Sequence, residues 1–409
     1  MKPHGPMPPG FAADADGMLL IGGRRADVLA EAAGDTPLFV YDSAMLAARA
    51  AQWRAAMPAA VQLHYAMKAN PHAPLLAFMA GLVDGFDVAS GGELHAALAS
   101  GMAAEHISFA GPGKRDRELE AAIVAGATLN LESAGEAERA LTIGERLGTV
   151  PRLAVRVNPD FDLKGSGMKM GGGAKPFGVD AAEVPALVRR LIAAGADWRG
   201  FHIFAGSQAL DAAAIAETQA QTVALAARLA EAAGAPPPLV NLGGGMGVPY
   251  FPGDTAVDVA AVGAALAETL DARGAALADS RFAMELGRWL VAEAGVYLTR
   301  IVDRKASHGE TFLVTDGGLH HQLAASGNFG TVVRRNYPIA VAGRFGAEPS
   351  EEVSVVGCLC TPLDRLGDKV ALPRADVGDL IALFQAGAYG ASASPATFLG
   401  QGPAREMLI

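Results

Sequence analysis

A (β/α)8 barrel followed by a β-rich domain is the architecture this chain predicts. Three observations predict it. Eight strand-like runs recur between residues 61 and 285, most of them separated by alanine-rich helical stretches. The rhythm changes after Gly287, where long β-prone runs replace the alternation. The chain also has 409 residues, more than one ordinary core accommodates. A doubly wound open sheet satisfies the same periodicity, because alternation alone does not show closure.

The elements follow in order. Residues 1–10 contain no apolar run, so they are not a secretory signal and read as a flexible leader. Pro37-Leu38-Phe39-Val40-Tyr41 opens the alternation, and a helical stretch follows over 43–57. In the next run Val61, Leu63, Tyr65 and Met67 alternate with Gln62, His64, Ala66 and Lys68, so Lys68 lies on the more polar face at the strand's end. Asn70-Pro71 then stops the extended run. Further strands are expected at 85–89, 106–110, 128–131, 152–157, 200–204, 239–242 and 281–285. Ser90-Gly91-Gly92-Glu93 has the spacing of a capping box, and Pro74 suits the first turn of a helix. The glycine-rich stretch 158–178 is too long for an ordinary barrel connection, which marks it as an active-site element or a disordered insert. Beyond Gly287 the runs 295–302, 311–315 and 352–356 indicate the second domain.

Composition removes several function classes. At 51% hydrophobic and 19% charged the chain is globular. A net charge of -10 disfavours sequence-independent nucleic-acid binding and attachment to anionic membranes. Only Cys358 and Cys360 occur, which excludes a disulfide framework and fits a reducing, cytoplasmic compartment. Two cysteines without further ligands make a poor metal site, so no metal is expected. His320-His321 reads as a histidine pair on an exposed loop. The uncharged stretch 380–404 is broken throughout by Gly, Ser and Pro, so it reads as a buried strand and loop rather than a membrane span.

In such barrels chemistry sits at the C-terminal ends of the strands. Four ends carry unusual residues: Lys68; Phe201-His202-Ile203-Phe204-Ala205-Gly206-Ser207-Gln208; Asn241-Leu242-Gly243-Gly244-Gly245; and Met284-Glu285-Leu286-Gly287-Arg288. Consecutive glycines leave backbone N–H groups open to an anion, Ser207 adds a hydroxyl and Arg288 a charged fork. This is neither the Gly-x-Gly-x-x-Gly dinucleotide pattern nor a Walker motif. A phosphate cradle, a strand-end lysine and a strand-end carboxylate together suit pyridoxal 5'-phosphate.

At this point the sequence resembles a known family. Tyr65-Ala66-Met67-Lys68-Ala69-Asn70, Gly85-Phe86-Asp87-Val88-Ala89-Ser90, Gly243-Gly244-Gly245, Glu285-Leu286-Gly287-Arg288 and Gly387-Ala388-Tyr389-Gly390 look like the fold-type III pyridoxal-phosphate decarboxylases, the diaminopimelate and ornithine/arginine decarboxylase group. The resemblance implies an alanine-racemase-like barrel over 36–286 and a C-terminal β domain over 287–409, joined by the N-terminal segment 1–35. It implies a homodimer with shared active sites. It makes Lys68 the Schiff-base lysine, Glu285 the partner of the pyridine nitrogen, and Ser207, the glycine triplet, Gly287, Arg288 and Tyr389 cofactor contacts. Cys360, reaching in from the partner subunit, becomes the proton donor, with Thr361 and Asp364 beside the substrate.

Two departures from the group's pattern carry information. Phe204 stands where the group usually has a histidine stacked on the cofactor; His202, two residues earlier on the same face, is the other candidate. Thr361 stands where the group usually has Asp or Glu to bind a distal amine, which argues against lysine, ornithine or diaminopimelate as substrate. The stretches 201–208, 164–173 and 315–321 are similar to decarboxylases associated with exosortase and exopolysaccharide gene clusters. Those are similar to enzymes thought to act on aminoacyl groups tethered to acyl carrier protein. Lys164 and Lys169 then become candidate contacts to an acidic or phosphopantetheine-linked substrate. The competing expectations are a diaminopimelate decarboxylase, an amino-acid racemase or epimerase, and a non-catalytic cofactor-binding protein.

Overall fold

The computed structural model describes residues 2–327 and 335–409, and leaves the side chains of 168 and 169 undescribed. Two compact units emerge. One comprises Arg49–Gly247 and Ala256–Gly287; the other comprises Met1–Ala48, Val248–Thr255 and Arg288–Ile409.

The first unit is a closed barrel. Its strands are β1 (Val61–Ala66), β2 (Gly85–Val88), β3 (Ile107–Phe109), β4 (Thr128–Leu131), β5 (Arg152–Asn158), β6 (Asp197–Ile203), β7 (Leu239–Asn241) and β8 (Arg281–Leu286). Each pairs in parallel with the next. Pairing of β8 with β1, from Phe282↔Val61 to Leu286↔Tyr65, closes the ring and rules out the open sheet. Alternate residues explain why these runs become barrel strands. Leu63, Tyr65, Phe86, Leu129, Val155 and Met284 are buried, and Met284 Sδ meets Gln219 on the helix Ala212–Ala233. The intervening positions carry His64, Asp87, Ser108, Asn130, Arg156, His202, Asn241 and Glu285, and several of these bond to one another across strands. The inner face is therefore polar, unlike the branched aliphatic layers that usually fill such a barrel.

Helix ends obey the expected chemistry. Ser90 Oγ accepts the Glu93 N–H, and the Glu93 carboxylate returns to the Ala89 N–H. The Ser133, Asp211 and Asp258 side chains likewise accept a first-turn N–H of their helices. Each such cap stabilises its helix by about 1 kcal/mol. Gly126, Gly148 and Gly234 end helices in the left-handed conformation. Pro74 falls in the first turn of Ala73–Ala80.

The second unit is β-rich. The strands Ile339–Val341, Leu380–Leu383, Gly295–Ser307, Glu310–Thr315, Glu351–Val356 and Arg365–Leu372 lie in that order. Leu38–Tyr41, which the sequence alternation places with the barrel, pairs instead with Gly295–Ser307 on one side and Arg405–Leu408 on the other. All four of its residues are buried, so it behaves as a central strand rather than a half-exposed one. Leu38 and Val40 join Leu19, Ile21, Leu29 and Phe384 in one apolar core.

Residues 2–5 correct the expectation of a flexible leader. The Lys2 N–H donates to the Lys369 carbonyl at 2.7 Å and the Gly5 N–H to that of Asn336 at 3.0 Å. The uncharged stretch near residue 380 is a buried strand, and no helix among the described residues is long and apolar enough to cross a membrane.

Candidate active site

The C-terminal ends of the barrel strands assemble the first group of candidates. β1 does not run through Lys68. It stops at Ala66, and a single 3-10 turn, Met67–Ala69, carries Lys68 over the rim. Gly287 makes this turn possible, because a Cβ there would press on the Ala66 carbonyl and the Ala69 methyl at 2.9 and 3.0 Å. The Lys68 side chain is 46% exposed, and its Nζ lies 3.9 Å from Glu285 Oε1.

Glu285 is buried near the end of β8, and its other oxygen takes a 2.8 Å hydrogen bond with His202 Nε2 on β6. Burial alone would raise the proton affinity of this carboxyl. The His202 hydrogen bond and the charges of His202, Lys68 and Arg156 outweigh it and hold Glu285 ionised, well below the usual carboxylate range. His202 is therefore turned toward Glu285. Phe204 is the ring beside the lysine, with its centroid 5.7 Å from Lys68 Nζ.

The glycine triplet follows β7. Gly243 and Gly245 have φ of 68° and 102°, which favour glycine. Gly244 is fixed by space alone, since a Cβ there would collide with the Glu285 carbonyl. The Gly243 carbonyl accepts the Glu285 N–H at 2.8 Å, so the triplet and the carboxylate are held in one register. Ser207 lies on the two-residue strand Gly206–Ser207, which pairs with Met168–Lys169. The long connection after β5 is thus an ordered flap beside Ser207. Lys164 in that flap is engaged by Glu217 at 2.9 Å. Lys169 lies on the short strand, and its side chain is outside the described atoms.

Two neighbours of this group escaped the sequence reading. Asp87 and His64, on β2 and β1, are buried with His64 Nδ1 3.5 Å from Asp87 Oδ2. Burial and the Glu285 charge push the Asp87 carboxyl up. Burial lowers His64, but Asp87 and Glu285 more than reverse that and raise it. Gly85 makes room for the His64 ring, whose Nε2 would be 3.0 Å from a Cβ there. The available signal was polarity on the inward parity of β1 and β2. Asp87 stood inside a quoted motif but carried no assigned role.

The β-rich unit holds the other candidates. The Arg288 guanidinium lies 4.7 Å from the Tyr389 ring centroid and 5.5 Å from that of Tyr250, and donates to the Tyr250 hydroxyl at 2.9 Å. Its Nε is buried without a hydrogen-bond acceptor. Tyr250 stacks on Tyr337 at 4.7 Å, and neither tyrosine was foreseen. Tyr389 has φ of 59°, a backbone strain of the kind that clusters at ligand clamps.

Cys358 and Cys360 are free, exposed thiols. Their loop is anchored by Asp364, whose oxygens accept the Leu319 N–H at 2.6 Å and the Leu359 N–H at 2.8 Å. Asp364 is only 3% exposed, so its carboxylate is committed to the loop. His320 and His321 are buried, contrary to the expectation of an exposed loop. The His321 ring bridges the Tyr297 hydroxyl and the Gly402 carbonyl, each at 2.9 Å. No cluster of metal-ligating side chains occurs among the described residues.

These residues fit pyridoxal phosphate. The barrel offers a primary amine at its rim, an ionised carboxylate 3.9 Å from it, an aromatic face beside it and a glycine turn with no room for side chains. Within the β-rich unit, taken by itself, Arg288 has a buried Nε without an acceptor, as an anion site requires.

Comparison with known proteins agrees. Residues 43–292 match the family described as "Pyridoxal-dependent decarboxylase, pyridoxal binding domain". An L-glutamyl-(BtrI acyl-carrier protein) decarboxylase of Niallia circulans is 37% identical over 91% of this chain and 89% of its own length. A diaminopimelate decarboxylase of Archaeoglobus fulgidus is 31% identical over 92% and 88%. The solved diaminopimelate decarboxylase of M. jannaschii in complex with L-lysine superposes with a TM-score of 0.86 at 26% identity, covering 98% of this chain and 93% of that one. The chain belongs to the fold-type III pyridoxal-phosphate-dependent decarboxylases.

Proposed function

We propose that this enzyme removes the α-carboxylate of an amino acid carried on an acyl carrier protein. The observation that carries the proposal is the neutral Thr361 directly after Cys360. A substrate with a distal ammonium would meet no carboxylate there, and an ammonium desolvated without a partner is costly. The reading is also supported by the N. circulans relative, whose name specifies an L-glutamyl group on a carrier protein.

Bound pyridoxal phosphate supplies the electron sink for the pair left behind by carbon dioxide. The chain's own residues then have distinct roles. Lys68 would provide the primary amine that holds the cofactor. Glu285, kept ionised by His202, would hold a proton on the pyridine nitrogen. Phe204 supplies an aromatic face. Ser207 and the N–H groups of the glycine turn would hold the phosphate oxygens. Arg288 and Tyr389 have an anion-binding role, on the strength of the unsatisfied Arg288 Nε. Cys360 returns a proton to the α-carbon, and we assign it to the partner subunit's site within a cytoplasmic homodimer. An association with exopolysaccharide synthesis belongs to the same reading.

The test is carbon dioxide release from free amino acids and from aminoacyl carrier protein, with Lys68→Ala as the blank. Turnover confined to free diaminopimelate would replace the proposal with its main competitor, which relatives such as that of A. fulgidus favour. Appearance of the opposite enantiomer without carbon dioxide would make the enzyme a racemase. Retained cofactor with no turnover of any amino acid would make it a non-catalytic binder.

A further inference from the structure

At the opposite end of the barrel from Lys68, the strand N-termini surround a cavity of about 310 Å³. Three arginines reach into it. Arg152 and Arg281 are the first residues of β5 and β8. Arg199 joins them because the register of β6 slips between Trp198 and Gly200. The rest of the wall is rich in polar groups, among them Gln62, His64, Thr128 and Asn241.

The positive charges are poorly matched within the fold. Asp197 serves both Arg152 and Arg199, but only at 3.7 and 3.6 Å, too long for hydrogen bonds. Glu105 also lines the cavity, and it is exposed, so water screens it. The terminal nitrogens of Arg152 take the Gly126 and Glu105 carbonyls at 3.1 and 3.4 Å. Its Nε is buried with no acceptor within hydrogen-bond distance, and the 3.7 Å approach of Asp197 is to this atom. Burial first, and then the neighbouring Arg199 charge, lower the proton affinity of Arg152 and outweigh the opposing charges of Asp197 and Glu105. A buried Arg152 N–H without an acceptor, in a cavity also lined by Arg199 and the exposed Arg281, suits an oxygen ligand of negative charge.

We propose that this basal cavity binds a small oxyanion, of the phosphate or carboxylate class, through Arg152, Arg199 and Arg281. The arginines lie at or near the strand starts, whereas Lys68 lies past the end of β1, whose six residues span about 20 Å; the inner wall of the cavity reaches His64, which pairs in register with Glu285. The inference does not rest on the decarboxylase reading.

The test uses enzyme loaded with pyridoxal phosphate and reduced with borohydride, so that cofactor phosphate cannot exchange. Calorimetric titration with sodium orthophosphate is compared with sodium chloride at matched ionic strength. One saturable site per chain is expected for orthophosphate, weakened about tenfold or more in the Arg199→Gln/Arg281→Gln variant with cofactor content unchanged. Arg152 is left intact because its backbone hydrogen bonds brace the fold. Absence of saturable heat, equal response to chloride, or undiminished binding in the double variant would each overturn the proposal. If reduction fixed no cofactor on Lys68, the decarboxylase reading would fail instead, and the double-variant comparison would still decide the basal site.

Discussion

His202 Nε2 stands 2.8 Å from Glu285 Oε2, tying β6 to β8 across the strand between them, while the other Glu285 oxygen faces Lys68 Nζ at 3.9 Å. One oxygen is thus engaged from behind and the other is presented toward the amine. A carboxylate that already holds one strong hydrogen bond gives up its own proton more readily. A proton shared with a bound cofactor's ring nitrogen would then reside on the nitrogen, where it would strengthen the electron sink. His202→Ala should keep the cofactor but lower kcat about tenfold or more, the loss expected for one hydrogen bond to a charged group. His202→Gln, which retains a donor, should recover part of it. Cofactor absorbance and steady-state rates measure both.

The same pair predicts a pH dependence of stability. The folded-state pKa of Glu285 is depressed, so its contribution is fully present above the ordinary carboxyl value of about 4.3 and is lost as pH falls through the depressed value. His202→Ala moves the folded-state pKa back toward ordinary. The variant should lose stability relative to the parent at pH 7, and the difference should shrink toward pH 3. Thermal denaturation across that range checks the sign. A gap that widens on acidification would contradict the assignment.

Gly244→Ala should be more damaging than alanine at the other two glycines of the triplet. At Gly243 and Gly245 an unusual φ is joined by approaches to the Ile203 and Gly206 carbonyls at 2.6 and 2.9 Å, whereas at Gly244 the added methyl meets the Glu285 carbonyl itself, more closely than either. Overpacking of this kind costs about 1–3 kcal/mol and here displaces the carboxylate as well. The expected result is a lower Tm together with weakened cofactor binding, read by equilibrium dialysis.

How much of this was legible beforehand differs by element. Lys68, Glu285, Phe204 and the glycine triplet announce themselves because each ends or follows a strand whose alternation is clear. The location of Lys68 was legible only to within a turn, since nothing in Met67-Lys68-Ala69 separates a strand's end from a 3-10 turn. Closure of the barrel was hidden, because it depends on β8 pairing with β1 across more than two hundred residues. Leu38–Tyr41 was misplaced for a related reason. Its local pattern suits any buried strand, and its partners lie near residues 295 and 405. The His64–Asp87 pair was missed because a barrel interior is expected to be apolar, and polarity on inward positions was not read as a network. His320 and His321 were placed on the surface by their polarity alone, although hydrogen bonds to Tyr297 and Gly402 let the second of them be buried.

Phe204→Ala should separate cofactor binding from chemistry. The ring is half-buried beside Lys68 and reaches no carboxylate, so its contribution is contact area and an aromatic face. Aromatic pairs contribute about 0.5–1.5 kcal/mol beyond burial, which corresponds to a fall in cofactor affinity of roughly two- to tenfold. Phe204→His should restore most of that affinity. A His202→Ala variant that lost cofactor more completely than Phe204→Ala would reverse the roles given to the two side chains.

Asp364→Ala tests the anchor of the cysteine loop. Both oxygens of this buried carboxylate serve backbone N–H groups, one from Leu319 and one from Leu359. Removing them leaves two buried donors unsatisfied, at about 1–3 kcal/mol each, and frees the segment that carries Cys360. Turnover should fall while the Lys68-bound chromophore persists. Alkylation of Cys360 by iodoacetamide should change rate as the loop loosens, a readout that a purely remote effect would leave alone.

Thr361→Glu addresses substrate choice. Thr361 follows Cys360 in the chain, and its hydroxyl accepts the Leu363 N–H at 3.3 Å, a weak local bond that a longer side chain can forgo. A carboxylate at this position would offer a distal ammonium the partner it lacks in the parent. A hydrogen bond to a charged group contributes about 1.5–3 kcal/mol, so kcat/KM for lysine or diaminopimelate should rise about ten- to a hundredfold relative to that for an acidic aminoacyl substrate. The comparison is a ratio within one variant, so a general loss of folding or cofactor cancels. If the parent already prefers free diamines, or if the ratio does not move in the variant, Thr361 is not what excludes them and the carrier-bound substrate loses its main support.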